Sequence, residues 1–373
     1  MSRRPDAIVV GAGIVGAACA EALAREGLRV EVLEAGIAGG GTTAAGMGHI
    51  VVMDDSEAQF ALTSYSRRLW SELAAELPEN CEFLPCGTLW VAEEEAQLEA
   101  LRAKAAFYTA RGVEAELLDA RGVAEAEPNL RTPLAGGLLV AGDGVVYPPA
   151  VARYLLARAR EHGAGLREGC RVERIEGRAV LVGGERIEAG LVVNAAGAAA
   201  AELTPGLPIM PRKGHLVVTD RYPGFCRHQV VELGYLKSAH VLTSESVAFN
   251  VQPRATGQLL IGSSRELVGW DAAVNRRLVG QMLRRAIEFM PGLASLKALR
   301  VWTGFRPATP DKLPLIGRWE EADGLWIAAG HEGLGITTAL GTARILADLV
   351  LGRTPELDPA PYAPGRVQAE ATA

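Results

Sequence analysis

One short stretch constrains this chain more than any other. Residues 7–10 (Ala-Ile-Val-Val) form an apolar run that stops at glycine, and Gly11-Ala12-Gly13-Ile14-Val15-Gly16 follows at once. The run reads as a buried strand. From Ile14 to Arg25, Val15, Cys19, Ala22 and Leu23 recur at helical spacing, and Gly27 ends the helix. Arg29 to Glu34 alternates, with Val30 and Val32 on one face, and reads as a second strand. The first 34 residues are therefore expected to make a βαβ unit with a G-x-G-x-x-G turn. In such a turn the first glycine bends the chain, the second lets backbone approach a pyrophosphate, and the third lets helix and strand pack closely. The helix N-terminus stabilises the phosphate charge. Glu34 closes the second strand, where a carboxylate accepts hydrogen bonds from a ribose diol and repels a 2′-phosphate. An NADP-type ligand is thus disfavoured. FAD and NAD both carry ADP, so the turn alone does not separate them.

Composition excludes several other classes. Net charge is −6, from 38 Lys and Arg against 44 Asp and Glu, and no Lys/Arg run exceeds two residues. A nucleic-acid binder shows a basic excess, and a membrane-surface anchor a polybasic patch, so neither is expected. Hydrophobic residues are 49% but aromatics only 5%, so Ala, Val, Leu and Ile must fill the core. Glycine is 43 of 373 residues, above the usual ~7%, and calls for positional roles. Five cysteines in a chain of this length do not make a disulfide scaffold. Cys81 and Cys86 stand alone as C-x4-C, which reads as two ordinary thiols rather than a zinc site, so no metal is expected. Arg3, Arg4, the uncharged stretch from Ala7 and the small residues Ala18 and Ala20 imitate a secretory signal. Asp6 and the interrupting Gly11, Gly13 and Gly16 oppose that reading. No segment has the ~18 apolar residues of a membrane span. A cytoplasmic protein, at most peripheral at a membrane, is expected.

Further along, residues 57–77, 94–112, 147–161, 275–290 and 334–351 read as helices. Arg171–Ile175, Leu191–Val193 and Leu325–Ala328 read as strands. His215–Thr219, Val247–Gln252 and Gln258–Gly262 suggest an antiparallel layer. The tail after Arg353 has four prolines and is expected to carry little structure. The fold class expected is α/β (α+β overall): a Rossmann-like dinucleotide-binding domain with an inserted antiparallel β-rich substrate domain. Residues 1–80, 145–212 and 300–352 are assigned to the first, 81–144 and 213–299 to the second, and 353–373 to a tail.

Two further glycine-rich loops bear on chemistry. In Gly36–Gly48, small residues let backbone lie against an elongated ligand, and the hydroxyls of Thr42 and Thr43 offer hydrogen bonds to phosphate. Gly330-His331-Glu332-Gly333-Leu334-Gly335-Ile336 runs from a strand straight into a helix, whose positive end stabilises negative charge. With Cys170-Arg171-Val172, Asn194-Ala195-Ala196-Gly197, Pro211-Arg212-Lys213-Gly214, Gly262-Ser263-Ser264-Arg265-Glu266 and Gly304-Phe305-Arg306-Pro307, these segments fall in the order found in one family. The chain resembles the D-amino acid oxidase superfamily, in the branch of glycine oxidase, sarcosine oxidase and D-hydroxyproline dehydrogenase flavoproteins. The resemblance implies FAD held at Gly11, Gly13, Ile14, Val15, Gly16, Glu34, Ala35, Thr42, Thr43, Ala45, Gly46, Met47, Val172, Ala195, Ala196, Gly197, Gly304, Arg306, Gly330, His331, Glu332, Gly333, Leu334, Gly335 and Ile336. Some relatives hold FAD through a cysteine near the position of Gly304, so glycine there implies non-covalent FAD.

The resemblance also implies oxidation of an amine next to a carboxylate. Arg306 is the expected carboxylate anchor, since its planar fork matches a carboxylate with two parallel hydrogen bonds; a structural ion pair with Asp311 or Glu332 is the competing reading. His49 and His331 flank the presumed flavin loops and are candidates for substrate contact, with packing roles as the alternative. The expected reaction takes a small D-amino or cyclic imino acid, D-proline or 4-hydroxy-D-proline being favoured, to the imine. Glycine or sarcosine oxidation is the alternative, as is a place as the flavin subunit of a multi-chain opine or proline dehydrogenase or hydrogen cyanide synthase. Oxygen, a quinone or a partner subunit would then take the electrons. Two other classes are an NAD dehydrogenase and a FAD-fold protein that only binds partners. Relatives of the glycine oxidase type often carry a tyrosine on the strand before the Pro-Arg turn; here Phe249 and Asn250 occupy that stretch.

Overall fold

The computed structural model describes residues 4–234 and 245–366. Its first sheet has six strands in the order Leu315–Arg318, Leu325–Ala329, Leu191–Asn194, Ala7–Val10, Val30–Leu33, Gly165–Arg167. All neighbours run parallel except the outermost Leu315–Arg318. Ala7–Val10 is fully buried near the centre of this sheet. That explains its unbroken apolar run and removes the signal-like reading of the N-terminus. The helix Ile14–Arg25 follows, and its buried face is built of Ala17, Ala18, Cys19, Ala20 and Leu23. Such small side chains let Pro148–Glu161 and Gly335–Val350 pack close against it.

The second sheet has eight strands, in the order Ala298–Ala308, Met210–Arg221, Gln258–Glu266, Glu245–Pro253, Gln229–Glu232, Thr88–Ala92, Gly136–Val140, Glu116–Asp119. It is antiparallel except where Gln229–Glu232 runs parallel to Thr88–Ala92. Its far face packs on Arg276–Phe289, where Phe289 stacks on Phe249 with ring centroids 4.4 Å apart. That helix starts at Asn275, whose side chain accepts from Leu278 N–H. The strand Ala298–Ala308 is the sheet's edge and carries Gly304 and Arg306.

Two expectations need correction. Arg171–Ile175 is not one strand. Cys170 N–H donates to the carbonyl of Glu34 at 2.7 Å, so this segment continues beside the parallel sheet, and regular pairing begins only at Arg174–Glu176 in a small three-stranded ribbon. The tail is also structured as far as Arg366. Tyr362 is 1% exposed, and its hydroxyl donates to the carbonyl of Ala58 at 2.6 Å. Arg366 forms a two-pronged pair with Asp311 at 2.7 and 3.1 Å. Proline content suppresses helix and sheet, but it does not prevent docking by one aromatic and one arginine. Among the described residues no helix is long and apolar enough to cross a membrane.

Because Tyr362 fills a closed site, Tyr362→Ala is expected to cost about 3–5 kcal/mol of unfolding free energy. Denaturant titration measures it; a change under 1 kcal/mol would mean the tail is merely laid on the surface.

Candidate active site

Between the ends of the parallel strands and one face of the eight-stranded sheet lies an elongated cavity of about 630 Å³. At the dinucleotide end it is walled by Gly11, Gly13, Ile14, Val15, Glu34, Ala35, Val172, Ala195, Ala196 and Gly197. The Gly36–Gly48 loop adds Thr42, Thr43, Ala45, Gly46 and Met47, and His49 follows. At the other end stand Gly304, Arg306, His331, Glu332, Gly333, Gly335 and Ile336. Of the residues expected at the site, Gly16, Gly330 and Leu334 are not on the wall. Gly16 lies beneath it, where a Cβ would stand 2.0 Å from the carbonyl oxygen of Gly11. It has the third glycine's role, close packing of helix on strand. A Cβ on Gly330 would stand 2.7 Å from Thr309, and Leu334 precedes the helix Gly335–Val350.

The close approach at the turn is visible in the atoms. Gly11 adopts φ +103°, and a Cβ there would stand 2.6 Å from the carbonyl oxygen of Ala195. Both Glu34 carboxylate oxygens accept backbone N–H groups, from Ala12 and Gly36 at 2.7 Å each. The carboxylate is therefore held in place at the strand end, with lone pairs left for a diol. The threonines differ from expectation. Thr43 Oγ1 accepts from Ile14 N–H at 2.9 Å, and Thr42 donates to the carbonyl of Phe305 at 2.6 Å. Their first task is to pin the loop to the helix start and to the eight-stranded sheet. Gln252, donating to the carbonyl of Met47 at 2.7 Å, pins it a second time.

Arg306 reaches over the neighbouring strand. A Cβ on Gly214 would stand 2.3 Å from its Nη1, which donates to the carbonyl of Ser264 at 3.1 Å. The acids that competed for it are engaged elsewhere: Glu332 pairs with Arg212 at 2.8 Å, and Asp311 with Arg366. The two histidines part ways. His49 has a buried Nε2 without a hydrogen-bond partner. Burial pushes its pKa down to about 4, and the Arg306 charge adds to the shift against an opposing hydrogen bond to Gln252. His331 is only 4% exposed, its Nε2 lies 2.9 Å from Thr342 Oγ1, and burial lowers its pKa to about 3. Its ring thus packs the loop onto the last helix, the alternative role the sequence left open. Both rings are neutral at physiological pH and supply no charge.

Sequence reasoning did not place Leu216, Gly214 or Ser263 at the site, yet all three line the cavity. Gly214 and Ser263 lie inside segments singled out by resemblance, but which strand faces overlie the cavity depends on the sheet register. Arg171, Glu173 and Glu202 also line the dinucleotide end, from an irregular segment and a short helix whose placement the chain order does not reveal.

The His331 shift gives a test. Above pH 6.5 the group is neutral in folded and unfolded chains and contributes nothing. Between pH 6.5 and about 3 only the unfolded chain takes the proton, so stability falls as pH falls. In flavin-free protein, His331→Gln is expected to flatten the loss of stability between pH 6 and 4 by about 1.4 kcal/mol per pH unit. Equal slopes in denaturant titrations would contradict it.

The DAO family pattern, described as FAD dependent oxidoreductase, matches residues 6–349. A glycine oxidase of Pseudomonas aeruginosa is 31% identical over 96% of this chain and 98% of its own length. The HcnC subunit of hydrogen cyanide synthase from the same organism is 28% identical over 100% of this chain and 99% of its own. The crystal structure of glycine oxidase from Geobacillus kaustophilus superimposes with a TM-score of 0.89 at 29% identity, covering 98% of this chain and 99% of that one. A glycine turn, an acid at the second strand end and a cavity reaching Arg306 all fit a flavin dinucleotide. This chain belongs to the DAO family of FAD-dependent oxidoreductases and is an enzyme acting on amino acids as CH–NH donors.

Proposed function

We propose that this chain oxidises a small amino acid at the carbon bearing its amine, with the substrate carboxylate held by Arg306. The observation that carries the reading is the position of the Arg306 guanidinium. It lies on the cavity face of the eight-stranded sheet, over a glycine. FAD, when bound, accepts the hydride leaving the substrate carbon. The chain's own contribution is orientation: a two-pronged carboxylate contact aims the C–H. No strong general base is called for, because an amine in its neutral form can release hydride directly. His49, near Arg306, is neutral and adds no charge to the site.

In this reading, the dinucleotide lies along Gly11, Gly13, Ile14, Val15, Glu34, Ala35, Val172, Ala195, Ala196 and Gly197. The flavin ring lies between the Gly36–Gly48 loop and the start of the Gly335–Val350 helix. That helix has no side-chain cap, so its first N–H groups are available to negative charge. Gly304 supports non-covalent attachment: it carries no thiol, and a Cβ there would stand 2.4 Å from the Cβ of Ala45. We assign the cofactor to the unit built on the parallel sheet and the substrate to the unit built on the eight-stranded sheet, which includes the strand Ala298–Ala308, most of which the expected division gave to the first unit.

The substrate is one of a small set: glycine, sarcosine, D-proline or 4-hydroxy-D-proline. The first is supported by the names of the relatives. The likeness to the HcnC subunit of hydrogen cyanide synthase supports looking for partner subunits if air fails to re-oxidise the protein.

Anaerobic addition of each candidate to the purified yellow protein tests the reading. One of them should bleach the flavin. Arg306→Ala should keep the flavin and raise KM for that substrate by about 30- to 150-fold, the worth of a charged hydrogen-bonded pair of about 2–3 kcal/mol. Unaltered KM in that variant would refute the assignment.

A further inference from the structure

Besides His49 Nε2, two buried polar atoms on the cavity wall are left over by the reading above, on which this inference rests. Asn250 and Ser263 are 4% and 3% exposed, both line the cavity, and Asn250 Oδ1 and Ser263 Oγ have no hydrogen-bond partner. A buried amide oxygen without a donor costs about 1–3 kcal/mol, and native proteins rarely leave one so. The sheet register shows where the donor must be. Ala298–Ala308, Met210–Arg221, Gln258–Glu266 and Glu245–Pro253 lie side by side. From the first of these, Arg306 crosses Gly214 and touches Ser264. From the last, Asn250 sits directly opposite Gly262, which has no side chain of its own and lies against Leu216 and Met47. Cation and acceptor thus face one another across the segment 262–264. Strands are spaced ~4.8 Å apart, so the gap is roughly 5–10 Å. That is the span of one small amino acid.

We propose that Asn250 Oδ1, with Ser263 Oγ beside it, is the amine subsite: it accepts N–H from the substrate whose carboxylate Arg306 holds. An amide oxygen can only accept, so the site selects substrates that keep an N–H on the neutral amine. Primary and secondary amines qualify, and tertiary amines do not. The contact also turns the amine nitrogen, and hence the adjoining C–H, to one side of the cavity. Asn250 is a specificity-determining and positioning residue, and its role differs from carboxylate binding.

The test uses ligands of the oxidised, FAD-loaded protein, followed through the flavin absorption band. Acetate has the carboxylate alone, and glycolate adds a hydroxyl donor where the amine would sit. Wild type should bind glycolate about tenfold more tightly than acetate, the worth of one hydrogen bond. Asn250→Leu, nearly the same size, should erase that preference while leaving the Kd of acetate and of FAD within about twofold. Ser263→Ala should reduce the preference about threefold and serves if the first variant does not fold. An intact preference in both variants would overturn the proposal. Equal weakening of acetate and glycolate by Asn250→Leu would overturn it too, by placing Asn250 on the carboxylate, and so would weakened FAD, by placing it on the cofactor. Wild type that binds acetate without preferring glycolate removes this inference alone, whereas wild type that binds neither removes the Arg306 anchor with it.

Discussion

The structure depends on how closely the first helix crosses the first strand. Gly16 lies against the carbonyl oxygen of Gly11, and Gly11 against that of Ala195, at distances where a single added carbon would collide. This crossing brings the helix start, the second strand end and the Asn194–Gly197 turn to one point. Everything assigned to the dinucleotide radiates from it. The small residues along Ile14–Arg25 extend the same logic into the core, where two further helices come down onto the sheet. Van der Waals packing at such short range is all or nothing, because protein interiors have no slack to absorb a misplaced methyl group.

The other half of the site is cleared in the same way. Gly214, Gly262 and Gly304 are positions on the eight-stranded sheet where a Cβ would meet Arg306, Leu216 or Ala45. At Gly214 the missing side chain lets Arg306 cross its neighbour, and at Gly262 and Gly304 it admits Leu216, Met47 and the Gly36–Gly48 loop. The loop Gly36–Gly48 then joins the two halves. Thr42 and Gln252 tie it to the eight-stranded sheet, and Thr43 ties it to the first helix. A polar group at each joint fixes the spacing between dinucleotide and substrate ends, which hydride transfer requires to be short.

Charge in the site is arranged by exclusion rather than abundance. Glu332 and Asp311 are each occupied by another arginine, and two histidines are kept neutral by burial. Arg306 lies over the sheet, and the unsatisfied Asn250 Oδ1 and Ser263 Oγ stand on the same cavity wall. An anionic group and a hydrogen-bond donor at the two ends of one small molecule complete this arrangement.

The dinucleotide end was legible in the linear chain because its signals are local. A strand, a turn and a helix within thirty-four residues carry their own hydrophobic period, and the glycines and Glu34 sit at fixed offsets along it. Arg306 was legible only through a family resemblance, since nothing in its flanking residues says which strands it lies beside. The threonine roles, the packing role of His331 and the docked tail around Tyr362 were not legible. Each is decided by a partner more than ten residues away: Phe305 for Thr42, Thr342 for His331, Ala58 for Tyr362. Asn250 shows the division most clearly. Its identity marked a departure from relatives, but only the register opposite Gly262 places it across from Arg306. Sequence by itself determined the dinucleotide-binding fold, because that follows from short-range sterics, and it pointed to the class of chemistry only through resemblance to a family. Tertiary structure decided which polar groups face the substrate, because strand order and register bring together residues that the chain keeps far apart.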